Sequence, residues 1–324
     1  MKRVCIVGYG AIGPIHAKIL KYLDSVELYG ICDIDPVRLQ QGIDTYGVKG
    51  YTCYNQVLFD PEVDCVHICT PHCLHYEMIC QALAAGKEVV TEKPVTMTKT
   101  QYLSLCERED AHKVCIVLQN RCNPCVVKLK ELISSGSMGK MSGIKGIVTW
   151  HRDRGYYEKD AWRGKWETEG GGALINQSIH TLDLMGYLAG DIIAVSAAMC
   201  NHTLTDVIEV EDTVTAHLRF GNCVSGVFYA TNAYMEDSFP YIEISFEQGL
   251  ARYMDGKLWI NGEMVEEDHK ASEGKTYWGT GHAELLRMYY EKNKFISAKD
   301  VNNTMLAIFA AYESAANKSQ VVYL

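Results

Sequence analysis

Residues 4–17 read Val4-Cys5-Ile6-Val7-Gly8-Tyr9-Gly10-Ala11-Ile12-Gly13-Pro14-Ile15-His16-Ala17: an apolar run, three spaced glycines, then an amphipathic stretch. The charged start Met1-Lys2-Arg3 resembles the head of a signal peptide, but the apolar run ends too soon and meets a glycine turn. It reads instead as an opening strand followed by a helix. Strand, G-x-G-x-x-G and helix in that order suit a dinucleotide. Gly8 allows the tight turn, Gly10 lets the backbone approach a pyrophosphate, and Gly13 lets the helix pack closely on the strand. Ala11 and Ile12 complete the turn, and the free N–H groups at the helix start suit phosphate. Asp33 follows in Ile31-Cys32-Asp33-Ile34-Asp35, where a carboxylate accepts from a ribose diol and repels a 2′-phosphate. No Arg or Lys directly follows it, and the nearest is Arg38, which favours NAD over NADP. Asp35, ahead of Pro36, reads as a helix cap.

Outward from that turn, short Val-, Ile- and Cys-rich runs at 3–7, 27–32, 64–69, 88–91 and 114–118 alternate with helical patterns at about 11–23, 36–46, 73–85 and 98–110. This predicts a doubly wound parallel sheet, an N-terminal Rossmann domain over 1–120. After residue 120 the pattern changes. Helices are expected at about 123–134, 171–188, 281–293 and 302–317, with strands at 141–150, 192–201, 211–220, 223–231, 240–247 and 250–254. The expected second domain, 121–324, is α+β with a large, mostly antiparallel open sheet serving substrate binding and oligomerisation.

At 324 residues, about two domains of ~150 residues are expected. The net charge of −9, from 31 Lys plus Arg against 40 Asp plus Glu, argues against a nucleic-acid partner. No apolar stretch reaches the ~18 residues of a membrane span. Thirteen cysteines without an export signal suggest reduced thiols in the cytoplasm.

Two segments carry chemistry. Glu92-Lys93-Pro94 follows the strand at 88–91, at a carboxyl end where ligands of open α/β sheets bind, so Lys93 can reach the reacting part of a bound dinucleotide. In Gly170-Gly171-Gly172-Ala173-Leu174-Ile175-Asn176-Gln177-Ser178-Ile179-His180-Thr181-Leu182-Asp183, Asn176 and His180 are four apart on an expected helix and share a face. The glycines allow close backbone approach at its start. The loop 151–166 interleaves Tyr156, Tyr157, Trp162 and Trp166 with Arg152, Arg154 and Arg163. Rings that stack on sugar C–H faces and arginines that hold hydroxyls or carboxylates suit a polyol; the competing reading is an interface or surface loop.

Across its whole length the chain resembles the glucose-fructose oxidoreductase, inositol dehydrogenase and rhizopine-catabolism family of NAD(P)-dependent oxidoreductases. The resemblance rests on Gly8–Ala17, Thr70-Pro71 through His75, Glu92-Lys93-Pro94, Gly170–Asp183 and residues 311–315. It implies a sugar or polyol oxidoreductase in which Lys93 and His180 are catalytic, Lys93 polarising the substrate oxygen and His180 carrying its proton. It places Thr70, Pro71, His75 and Glu92 at the cofactor, His75 near the nicotinamide, and Arg121 with Asn123 facing the cleft. A homo-oligomer, dimer or tetramer, is implied too. Many members carry Asp where Asn176 stands; Asn takes no proton, so Asn176 is expected to bind substrate hydroxyls. Lys93 and His180 are expected to meet the nicotinamide across an interdomain cleft.

Alternatives remain at this stage: an NAD-retaining glycoside-cleaving enzyme, or a dinucleotide sensor without turnover. Cys65, His67, Cys69, His72, Cys73 and His75 suggest zinc by composition, but strand alternation spreads the first three, and no metal is expected. Cys122-Asn123-Pro124-Cys125 reads as inert thiols at a helix start.

Overall fold

The computed structural model describes residues 1–269 and 279–324. They form two compact units. The first comprises Met1–Gln119 and, from far along the chain, His282–Asp300.

In that unit β1 (Lys2–Val7), β2 (Val26–Cys32), β3 (Lys49–Tyr51), β4 (Cys65–Ile68), β5 (Glu88–Thr91) and β6 (Val114–Ile116) form one sheet in the order β3-β2-β1-β4-β5-β6. Every pair is parallel. Helices Gly13–Lys21, Pro36–Tyr46, His72–Ala84 and Lys99–Cys106 alternate with the strands, so β4, β5 and β6 are buried almost throughout and read as continuous apolar runs. Strand order reverses between β1 and β4, the switch point at which such sheets bind ligands. The helix expected over 98–110 ends at Cys106 and gives way to a 3₁₀ turn, Glu109–Lys113. The strand Lys49–Tyr51 and the helix Tyr54–Leu58 are too short to show a period. Polar bonds stitch in the distant segment: Tyr289 Oη donates to Glu88 Oε2 (2.6 Å), Tyr102 Oη to the Ala298 carbonyl (2.6 Å) and Ile116 N to the Ile296 carbonyl (2.8 Å).

The second unit comprises Asn120–Gly281 and Val301–Leu324. Its strands are β7 (Met141–Thr149), β8 (Ile192–Cys200), β9 (Thr213–Phe220), β10 (Ser225–Thr231), β11 (Tyr241–Phe246), β12 (Gly249–Met254), β13 (Lys257–Ile260), β14 (Glu263–Glu267) and β15 (Val322–Tyr323). They make a nine-stranded sheet in the order β14-β13-β12-β11-β7-β10-β9-β8-β15. β7 and β10 pair in parallel, and the other neighbours are antiparallel. β9 alternates strictly: Val214, Ala216, Leu218 and Phe220 are buried, Thr215, His217 and Arg219 exposed. Helix Ile179–Ala189 covers the inner face, and Gly146 of β7 makes room for it; an added Cβ there would lie 2.5 Å from Met185 Sδ.

The helix expected over 171–188 is not continuous. Ala173–Gln177 is a π turn, and α-helix begins only at Ile179. Ser178 causes the break: its N–H reaches back five residues to the Ala173 carbonyl (2.9 Å), and its hydroxyl donates to the same oxygen (2.5 Å). Four-residue α-helical spacing therefore does not relate Asn176 to His180. No described helix is long and apolar enough to cross a membrane.

Candidate active site

The glycine turn follows β1. Gly8 has φ +92°, and an added Cβ would lie 2.7 Å from the Cys69 carbonyl oxygen; one on Gly13 would lie 2.3 Å from the Gly8 oxygen. Gly10 differs, since a Cβ there would meet only Arg38 Nη1, at 3.7 Å. Gly8 and Gly13 are thus required by the chain's own packing, whereas Gly10 leaves room for a ligand. Asp33 pins the turn, accepting from Tyr9 N (2.6 Å, Oδ2) and Asp35 N (2.8 Å, Oδ1). Each oxygen keeps a further acceptor site for a ribose hydroxyl. Asp35 caps Pro36–Tyr46 by accepting from Val37 N and Arg38 N. Ala11 is exposed and Ile12 half-buried, and Ile12 precedes helix Gly13–Lys21 without a side-chain cap bond. These residues fit a dinucleotide diphosphate and ribose.

Pro71 starts helix His72–Ala84 just after Thr70, whose hydroxyl rests on Met78 Sδ (3.4 Å). His75 is fully buried, its ring nitrogens each 2.8 Å from a carbonyl oxygen, of Thr70 and Pro94. Burial pushes its pKa below the ordinary histidine value, so the neutral ring donates to one of the two at a time. His75 thus ties the turn after β4 to the residue after Lys93.

Half-buried Lys93 sits beside a buried chain of polar groups. His16 Nε2 lies 3.1 Å from Glu92 Oε1, His16 Nδ1 2.8 Å from His67 Nδ1, and His67 Nε2 2.6 Å from Tyr290 Oη. Burial opposes charge on His16, but Cys69 and Glu92 outweigh it and lift its pKa to about 10. Burial also opposes charge on Glu92, yet His16 holds it down to about 2, with help from His282 and Lys93. His67 is kept neutral by burial and by the charge on His16. His16 therefore donates from both nitrogens, to Glu92 and to His67, and His67 donates on to Tyr290. His16, Glu92 and His282 place ligand atoms within 4.8 Å of one another, and a metal ion there would have to displace the proton that His16 shares with Glu92.

In the second unit the glycine triplet packs against its own chain. An added Cβ on Gly171 would lie 1.9 Å from Tyr312 Oη, and one on Gly172 would lie 2.1 Å from the Glu211 carbonyl oxygen. Glu211 is buried and accepts from Gly172 N (3.0 Å), Leu174 N (2.9 Å) and Tyr312 Oη (3.0 Å), which fixes the start of the π turn. Asn176, 9% exposed, donates from Nδ2 to Oε1 of fully buried Glu169 (2.5 Å), while Glu169 Oε2 accepts from Gly164 N (2.5 Å). Burial first, then the charge of Glu211, pushes the Glu169 pKa up to about 7 against these bonds and Arg163. His180 is half-buried on the first turn of the following helix.

Arg121 makes a two-pronged pair with buried Asp183 (Nε–Oδ2 2.8 Å, Nη2–Oδ1 2.5 Å), and Thr304 donates to Asp183 Oδ1 (2.7 Å). Arg163 stacks on Tyr156 (4.2 Å to the ring centroid) and Trp162 (5.3 Å) and pairs with Asp160 (3.1 Å). Tyr156 and Trp162 are therefore partly covered by the loop's own arginines, Arg152 also lying over Tyr156 (5.1 Å). Tyr156 Oη accepts from Gln177 Nε2 (3.2 Å), and Gln177 Oε1 is buried without a partner among the described residues.

Sequence reasoning passed over Glu169, Glu211, His67 and His282 as members of these networks. Glu169 directly precedes the glycine triplet, which was a readable signal; the others meet their partners only through the fold.

Residues 2–120 match a family model described as "Oxidoreductase family, NAD-binding Rossmann fold", and residues 126–252 match the "GFO/IDH/MocA C-terminal domain". The chain is similar to the myo-inositol 2-dehydrogenase of Thermotoga maritima (29% identity; 69% of this chain, 67% of the relative). It is similar also to the levoglucosan dehydrogenase of Pseudarthrobacter phenanthrenivorans (26%; 68% of this chain, 63% of the relative). The match thus spans about two thirds of these relatives' length. Among solved structures, the WlbA dehydrogenase of Bordetella pertussis, in complex with NADH and UDP-GlcNAcA, superposes with a TM-score of 0.84 (26% identity; 100% of this chain, 98% of that one).

Proposed function

This chain belongs to the GFO/IDH/MocA oxidoreductase family, and from that membership we propose that it is an NAD-dependent dehydrogenase or reductase acting on a CH–OH group of a sugar, polyol or sugar derivative. The observation that carries the reading is the turn Gly8–Gly13: two glycines are consumed by packing, the third faces room, and Asp33 stands beside it. Relatives named for inositol and levoglucosan oxidation, and a structural neighbour with NADH and a sugar nucleotide, support the substrate class.

Gly8, Gly10, Ala11, Ile12, Gly13, Thr70 and Pro71 would hold the cofactor's diphosphate side and Asp33 its ribose diol; His75 and Glu92, buried and bonded to the chain's own groups, would brace the turns on the nicotinamide side rather than touch the ring. NAD, when bound, supplies the hydride acceptor. Lys93 steadies negative charge on the reacting oxygen, with ionised Glu92 beside it. His180 carries the oxygen's proton, since an imidazole suits that transfer near neutral pH. Asn176, Arg121, Tyr156, Trp162 and Arg163 bind substrate, Arg121 in a position set by Asp183. A homo-oligomer, which the family resemblance implies, would form through the large sheet, and thirteen free thiols support a reducing, cytoplasmic setting.

An NAD-coupled absorbance screen over inositols, aldoses, sugar acids, aminosugars and nucleotide sugars tests the proposal. Saturable NADH release with one of these classes is expected. NAD binding without turnover on any of them would overturn it.

A further inference from the structure

We propose that Glu169 is a positioning residue that sets which way the Asn176 amide faces, and so whether the site offers a substrate hydroxyl an acceptor or a donor. The inference rests on the reading of Asn176 as a substrate contact. Glu169 is fully buried and joins two segments: Oε2 accepts from Gly164 N in the Arg- and Tyr-rich loop, and Oε1 faces the Asn176 amide at 2.5 Å. An ionised carboxylate only accepts, so the Asn176 atom against it is the NH₂ group. The amide is planar, so Oδ1 points away from Glu169 and stays an acceptor. Glu211 cannot take over this task, because Gly172 N, Leu174 N and Tyr312 Oη already occupy its carboxylate. The site thus keeps a carboxylate, not at residue 176 but on Glu169, hydrogen-bonded behind the Asn176 amide.

Glu169→Gln should reverse the amide. A glutamine side chain there satisfies Gly164 N only with its oxygen, which turns its own NH₂ toward residue 176 and requires an acceptor from it. Asn176 then flips and presents NH₂ where Oδ1 stood. Asn176→Asp alone sets two carboxylates face to face. In the exchanged pair, Glu169→Gln with Asn176→Asp, the introduced amide donates to the introduced carboxylate, which still offers an acceptor outward.

The experiment is a four-variant cycle at mildly alkaline pH, where Glu169 is ionised, reading KM, kcat and melting temperature. Each single variant should raise KM by about tenfold, a coupling usual for contacting polar residues, with a smaller effect on kcat. The exchanged pair should recover both KM and melting temperature. Losses that simply multiply in KM would overturn the proposal whatever the melting curves do. If the wild-type chain turns over no polyol or sugar, the functional reading fails by itself. The melting-temperature cycle then judges the pairing alone: reciprocal recovery supports it, and additive loss overturns it.

Discussion

We assign cofactor discrimination to Asp33 and Arg38 together. Asp33 spends one acceptor site per oxygen on Tyr9 N and Asp35 N, and the carboxylate repels a 2′-phosphate. Arg38 Nη1 stands 3.7 Å from the added-Cβ position of Gly10, with Asp35 Oδ2 3.6 Å from its Nε. Asp33→Ala should therefore weaken NAD binding, by about 1–3 kcal/mol for a lost charged hydrogen-bond partner, and let NADP bind through Arg38. Titration with both dinucleotides checks this; tighter NADP binding by the wild type would contradict the role given to Asp33. At this scale the sequence was informative where a motif fixes the neighbours, as for Gly8, Gly10, Gly13 and Asp33. It was silent where side chains distant in sequence share one hydrogen bond, as His16 does with His67 and Glu92.

Within elements, the glycines separate into two kinds. Gly13→Ala places a methyl 2.3 Å from the Gly8 oxygen and Gly172→Ala one 2.1 Å from the Glu211 oxygen, backbone atoms that cannot swing aside. Both should destabilise strongly, by several kcal/mol, as overpacking against backbone does. Gly10→Ala should leave the melting temperature near the wild-type value and weaken NAD. Thermal melts paired with NAD titration distinguish the two kinds, and a large melting loss for Gly10→Ala would contradict the room seen there. Apolar periodicity made β1, β2, β4 and the helix Pro36–Tyr46 legible. It could not foresee the π turn, because Ser178 redirects one backbone bond without altering the apolar pattern of Leu174, Ile175 and Ile179.

For the whole molecule, the buried carboxylates pull stability in opposite directions. Burial raises Glu169 from 4.5 to about 7, so between those values the folded chain keeps a proton that the unfolded chain has lost. This group's contribution therefore falls as pH rises from 4.5 to 7. His16 holds Glu92 down to about 2 despite burial, so its contribution is complete above 4.5 and is lost as pH falls toward 2. Glu169→Gln should flatten the neutral decline and leave the acid limb unchanged; melting temperature against pH reads both, and an unchanged neutral slope would contradict the assignment. The two-sheet layout was legible from the switch in strand pattern near residue 120. The return of His282–Asp300 to the first unit was not, because the tyrosines that anchor it meet Glu88 and His67 only in the fold. We assign one alcohol oxidation to Lys93 and His180 acting as a pair. The deciding measurement is kcat for wild type, Lys93→Ala, His180→Ala and the double variant on the substrate found by screening, with NAD affinity measured alongside. Each single substitution should cost about 10²–10⁴-fold with NAD still bound, and the double variant should lose far less than the product. Near-wild-type turnover in either single variant, or losses that multiply, would contradict the account.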